Sequence, residues 1–266
     1  MKNQNLTQGG ILKSLVTFAF PVLLALFLQV MYGAADLIIV GQFAGTGEQS
    51  GVASGSQLFH LVTLVITGLT MGVTVLVGNA IGARDPERAG RGIGAGIAIF
   101  AVIAVAVTAV VVPWSDGLAS LLDAPPEAFA QTSSYVRICG IGTVFIVAYN
   151  VIGAVFRGIG DSKTPLLTVA IACVINIVGD LGLVGVFHLG AAGAAIATVT
   201  AQGVVGAFCI RVPAVFLLSR AADASLFRIG LATPLSSLVQ IFLCLGAYRY
   251  YQKKGLGLPT EARQID

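Results

Sequence analysis

Apolar runs too long for a soluble core set the limits on what this chain can fold into. Six stretches, at residues 15–40, 53–77, 92–113, 134–156, 164–186 and 190–210, each approach or exceed the about 20 mostly apolar residues that a helix needs to cross a bilayer. A weaker seventh lies at 229–250. The runs are continuous rather than alternating, which fits helices and not the short strands of a membrane barrel. Composition closes the other routes. Charged residues make up only 10% of the chain, against about 25% in a soluble domain. The net charge of +3, with no Lys/Arg stripe beside the aromatics, argues against a nucleic-acid partner, and the 56% hydrophobic content argues against disorder. The expected fold class is therefore all-α, a polytopic membrane helix bundle surrounded by lipid. The first run is too long for a cleaved signal peptide.

Basic residues orient the spans. Lys2, Lys13, Arg84, Arg88, Arg91, Arg157 and Lys163 fall in one set of connections; the alternate set holds Glu48, Asp116, Asp123 and Glu127 and no Lys or Arg. Positive charge collects on the cytoplasmic side, so a cytoplasmic N-terminus is expected. Pro113, Pro125 and Pro126 mark an outer turn. The tail breaks the pattern: Val212 to Ser219 is too short to span, and a seventh span would place Arg249, Lys253, Lys254 and Arg263 outside.

Several chemical signals dissolve on inspection. Cys139, Cys173, Cys209 and Cys244 lie singly in apolar segments without a Cys-x-x-Cys pair, so they read as small buried hydrophobes. Gly90, Gly92, Gly94 and Gly96 open an apolar span and read as helix packing rather than a nucleotide loop. The run Gly158 to Thr164 lacks the glycine before lysine that a phosphate loop needs. His60 reads as a buried histidine rather than a proton relay. No nucleophile–base pair is visible and no cofactor is expected, so the chain does not read as an enzyme.

Two intramembrane acids stand apart. A carboxylate inside a spanning helix costs about 2.5–3.5 kcal/mol on insertion scales, so it marks function by default. Asp36 and Asp180 both fall in the outer half of their spans, roughly 8 and 12 Å deep at 1.5 Å per residue. Asn176 shares a helix face with Asp180, and Thr198 and Thr200 enter at similar depth on the sixth span. An oxygen-rich set of this kind suits a hard cation, or a proton shared between acids. The competing reading is two unrelated polar residues facing a water-filled cavity.

The blocks Tyr32 to Gly41, Val73 to Gly82, Phe156 to Pro165, Asn176 to Asp180 and Gly190 to Gln202 resemble the multidrug and toxic compound extrusion (MATE) transporters of the wider multidrug/oligosaccharidyl-lipid/polysaccharide superfamily. The resemblance implies an integral plasma-membrane (inner-membrane) protein with six-helix lobes and alternating access between them. It implies inward Na⁺ or H⁺ flow driving export of small amphipathic organic cations. By residue matching it implies that Asp36, Asn176, Asp180 and Thr198 form the coupling-ion site and that Pro21 is where the first helix bends. Tyr32, Asn150 and Thr200 are candidate polar residues of the cavity. Residues 211–254 resemble the end of helix eleven and helix twelve of such a transporter. The expected organisation is a six-helix lobe at 1–210 joined to a remnant of the second lobe at 211–266. On that reading transport is impaired, unless chains self-associate to replace the missing lobe. The alternatives are a flippase for lipid-linked saccharides, for which Arg137 is the lone basic candidate, and a non-transporting membrane remnant or accessory protein.

Overall fold

The computed structural model describes residues 11–219, with side chains from Leu12 to Gly206 apart from Lys13 and Pro86. The chain divides after Cys209, and the architecture below is that of the first unit. The elements are α1 (Ile11–Phe43), α2 (Thr46–Gly82), α3 (Pro86–Val111), α4 (Ser115–Leu121), α5 (Phe129–Ile141), α6 (Thr143–Gly158), α7 (Lys163–Asp180), a π-helical turn (Leu181–Val186) and α8 (Gly190–Ser219). No strand occurs among the described residues.

The six expected spans that fall within the described residues carry helix, and the structure changes their detail. Ser14–Phe43, Thr46–Gly82, Glu87–Val111 and Lys163–Val186 are long and apolar enough to cross a membrane; α5 and α6 together make a fifth, and Gly190–Gly206 is a shorter apolar helix. The chain is thus an integral membrane protein. The span expected at 134–156 is broken into α5 and α6, bent by 54° at Gly142. A Cβ on Gly142 would stand 2.3 Å from Val199 Cγ2, so the bend sits where a small residue lets α8 press in. The span at 164–186 changes from α to π coiling directly after Asp180. The proline-marked outer turn holds the two-turn helix α4. Helix α8 continues past the expected edge at Arg211 to Ser219. Charge marks where a helix leaves the bilayer, not where its hydrogen bonds end.

Local sequence explains the helix starts. The Asp85 carboxylate accepts the Arg88 N–H at 2.9 Å and opens α3. Asp161 accepts the N–H groups of Lys163 and Thr164, both at 3.0 Å, and the Thr164 hydroxyl at 2.6 Å. In the run Gly158 to Thr164, a carboxylate therefore fills the role that a phosphate plays at a nucleotide loop.

Helix α2 packs on α3, α5 and α6, while α1 packs chiefly on α7. Ile66, Phe100, Ala104, Val147 and Val151 form a core between α2, α3 and α6. The outward faces carry Leu15, Phe20, Leu23, Phe27 and Val30 on α1 and Leu61, Leu64 and Val65 on α2. Such side chains suit lipid, where tight van der Waals fit rather than apolar burial holds helices together. His60 is exposed on that α2 face, which corrects the expectation of a buried histidine. Phe59 beside it turns into the lobe, and one residue of helical rotation carries His60 out. Cys139 is buried and Cys173 half-buried. The side chain of Cys209, the whole of Cys244, the expected helix at 229–250 and the basic tail lie outside the described residues.

Candidate functional site

Three helices each contribute two polar residues four positions apart. Helix α1 brings Tyr32 and Asp36, α7 brings Asn176 and Asp180, and α8 brings Thr198 and Gln202. A spacing of four puts each pair on one helix face. The α7–α8 contact is close: a Cβ on Gly179 would stand 3.0 Å from the Ala197 Cβ. Glycine and alanine thus bring the Asn176 and Thr198 faces within reach.

The hydrogen bonds form a relay. Asn176 Nδ2 donates to Thr198 Oγ1 at 3.3 Å, and Thr198 Oγ1 donates to Asp36 Oδ2 at 3.3 Å. One turn along, Gln202 Nε2 donates to the Tyr32 hydroxyl at 3.5 Å. The Asp36 and Asp180 carboxyl groups are neighbours in this site. Burial is nearly complete, with Asp36 at 4%, Asn176 at 1% and Asp180 at 0% exposure.

Donors run out before acceptors do. Asp36 Oδ1, both Asp180 oxygens, Asn176 Oδ1 and Gln202 Oε1 are buried without a hydrogen-bond partner. Buried acceptors left this way cost about 1–3 kcal/mol each, more when charged. A proton on one carboxyl group or a hard cation between them supplies what is missing, since either meets several oxygens at once. The donor set has two carboxylates and neutral oxygens. No group of three His, Cys, Asp or Glu residues with metal-binding placement occurs among the described residues.

The start of α8, which carries Thr198 and Gln202, is held by a residue that sequence reading passed over. Glu48, near the start of α2, accepts the Ala191 N–H at 2.6 Å and so caps α8 from 143 residues away. Gly190, with φ +51°, provides the left-handed turn into the helix. Gln202 was missed as well, although its signal was present: it stands four residues after Thr198 on the same face.

Other candidates lie elsewhere. Asn150 on α6 accepts the Thr67 hydroxyl at 3.2 Å and donates to the Ile146 carbonyl at 2.8 Å, tying α6 to α2. Thr200 is about 200° round α8 from Thr198, so the two cannot share a face. Pro21 is buried inside an α1 that continues as helix on both sides of it. Arg137 on α5 is engaged with the start of α4: its Nε donates to Ser115 Oγ at 3.0 Å, and Nη2 lies 3.6 Å from Asp116 Oδ1.

Fold and site together define an integral membrane protein whose helical lobe encloses a carboxylate pair at the seam of α1, α7 and α8. The MatE family model matches residues 21–181, and the chain belongs to that family, one of transporters rather than enzymes. The probable multidrug resistance protein YpnP of Bacillus subtilis is 32% identical over 77% of this chain and 46% of its own length. A MATE crystal structure in the bent conformation superposes with a TM-score of 0.73 at 28% identity, covering 79% of this chain and 46% of that one. A multidrug-resistance MATE transporter in the outward-facing conformation gives a TM-score of 0.75 at 26% identity, over 86% of this chain and 50% of that one. The chain therefore spans about half the length of the relatives it matches.

Proposed function

We propose that the lobe is the ion-coupling half of an antiporter that exports small amphipathic organic cations in exchange for inward Na⁺ or H⁺. The observation that supports this most is the buried Asp36–Asp180 pair with its unpartnered oxygens. Asp36, Asp180, Asn176 and Thr198 hold the ion, with Gln202 Oε1 as a further acceptor on the same helix face as Thr198. Binding the ion removes the cost of the orphaned acceptors, so an occupied site favours a closed seam between α1 and α7/α8. Release of the ion frees α1 to move away from α7. That supplies two states of the lobe whose balance the ion shifts, as coupling requires. The N-terminus faces the cytoplasm, in line with the distribution of Arg and Lys.

Alternating access needs a second lobe to rock against, which association of two copies would supply. Residues 211–266 fit the close of a second lobe. The test is efflux of a fluorescent cationic dye from cells expressing the chain under an imposed Na⁺ or pH gradient. Ion-dependent efflux that Asp36→Asn abolishes supports the reading. Isothermal titration of the purified chain with NaCl, and proton release on Na⁺ addition, test the ion site even where efflux is weak. Absence of any Na⁺- or proton-linked signal that depends on Asp36 rejects it.

A further inference from the structure

The lobe interior contains a second polar space that the acid pair does not use. A cavity of about 50 Å³ lies between α1, α2, α6 and α7, with Gln29, Asn150, Arg157 and Thr168 among its polar lining and Val22 and Leu26 on its apolar wall. Asn150, Gly153 and Arg157 fall on one face of α6 at spacings of three and four. Gly153 has no side chain to fill the groove, and a Cβ there would stand 3.3 Å from an Arg157 guanidinium nitrogen. The arginine thus folds back along its own helix over Gly153 and lines the cavity.

The polar groups divide into spent and unspent. Asn150 is used by Thr67 and Ile146, and the Thr168 hydroxyl donates to the Pro165 carbonyl at 2.8 Å. Gln29 makes no hydrogen bond among the described residues, and no carboxylate there pairs with Arg157. A half-buried guanidinium with its donors turned into a cavity lacks an anion. Water fits a space of this size but carries no charge to offset it. Arg157 is in the last turn of α6, at the end of the lobe where the 157–163 connection leaves the bilayer. Leu26 is 50% exposed, and Leu23 and Phe27 on the same helix more so, so the cavity wall continues into an exposed apolar surface of α1.

We propose that this cavity binds the phosphate group of a phospholipid from the leaflet at the 157–163 end of the lobe. Arg157 grips the phosphate oxygens, Gln29 orders the inner end of the cavity, and an acyl chain runs along Leu23, Leu26 and Phe27. Basic pockets between membrane helices hold lipid headgroups by this chemistry. The proposal does not depend on the ion-coupling reading, because none of its residues touches the acid pair.

The test is native mass spectrometry of the purified full chain in mixed micelles containing phosphatidylglycerol, phosphatidylcholine, or diacylglycerol of the same acyl chains, with inorganic phosphate as competitor. Both phospholipids are expected to be retained and diacylglycerol lost. Arg157→Gln should weaken phospholipid retention about 10- to 100-fold, the scale for losing charge-assisted hydrogen bonds. Arg157→Lys should keep part of it and Gln29→Leu should lower it less. Circular dichroism establishes that each variant folds. Should Arg157→Gln fail to fold, graded losses in Arg157→Lys and Gln29→Leu carry the test. Equal retention of diacylglycerol, or unchanged retention in the folded Arg157 variants, overturns the proposal. Displacement of lipid by inorganic phosphate assigns the cavity to a free anion and also overturns it.

Discussion

Asp116 and the Asp36–Asp180 pair show two ways in which one chain houses a carboxylate. Asp116 stands at the start of α4, two-thirds exposed, 3.6 Å from the Arg137 guanidinium and accepting the Ser133 hydroxyl. Water and a cation share its charge. Asp36 and Asp180 are buried, have each other for a neighbour, and have no basic side chain hydrogen-bonded or ion-paired to them among the described residues. The fold therefore supplies a partner where the acid is close to water and withholds one where it is costly to do so. A structural role accounts for the first arrangement. The second leaves buried oxygens that a proton or a hard cation would satisfy.

Charge removal is the strongest way to break that contrast. Asp36→Asn or Asp180→Asn should lower Na⁺ affinity, or proton release on Na⁺ addition, about 10- to 100-fold, because a charged ligand of the ion is lost. The same change at Asp116 should leave ion binding near wild type. Thermal unfolding should also separate the two. Asp180→Asn should not lower the melting temperature in ion-free buffer, since it relieves an unpaired buried acid. Equal effects on ion binding at all three positions would erase the distinction.

The seat of α8 comes next in size. Gly142→Val would drive a side chain into Val199, which a Cβ alone already approaches to 2.3 Å. Overpacking of this kind costs about 1–3 kcal/mol. Ion affinity should fall with it, because Val199 is adjacent to Thr198, while the Arg137–Asp116 pair should survive. A smaller effect is expected for Thr198→Val, which removes the hydroxyl that bridges Asn176 to Asp36. The loss should be about 1 kcal/mol, or roughly fivefold in ion affinity. Ser133→Ala, the matching change at the outer acid, should leave ion affinity unaltered.

These residues also show where the sequence was readable. The acids stood out in the sequence because a carboxylate within an apolar run is costly to bury. Asn176 and Thr198 followed from helical spacing and depth. Asn150 lines a cavity, as expected of it, but one apart from the acid pair, and Thr200 is turned off the Thr198 face; depth alone does not fix which way a helix face points, which depends on close packing such as that at Gly142 and Gly179. The break between α5 and α6 and the π-helical turn were hidden for the same reason. Apolar content reports that a segment can cross lipid, and it is silent on whether it crosses as one straight helix. Glu48 was unreadable as a cap for α8, because its partner lies 143 residues away and a surface glutamate carries no signature of its use. Arg157 was counted as a loop charge that orients the protein. Only the bare face at Gly153 reveals that its guanidinium turns inward.

Arg137 provides the finest test of the comparison, since it is the basic residue whose presence at the outer acid defines the difference. Its Nη2 contact with Asp116 is long, at 3.6 Å, and Asp116 is 67% exposed, so the ion pair itself is screened by water. Exposed pairs contribute about 0–1 kcal/mol. The Nε donation to Ser115 matters more than the pair, because Ser115 is fully buried and its oxygen would lose a donor. Arg137→Gln keeps an N–H that can reach the serine and removes the charge. It should therefore lower stability by no more than about 1 kcal/mol, with ion affinity unchanged. Arg137→Leu removes both and should be the more destabilising of the two by thermal unfolding. A loss of ion binding in Arg137→Gln, with the fold intact, would mean that the outer cluster and the buried acids act as one electrostatic unit. Asp116 and Asp36 would then differ in exposure but not in function, and the ion's route would have to include α4 and α5.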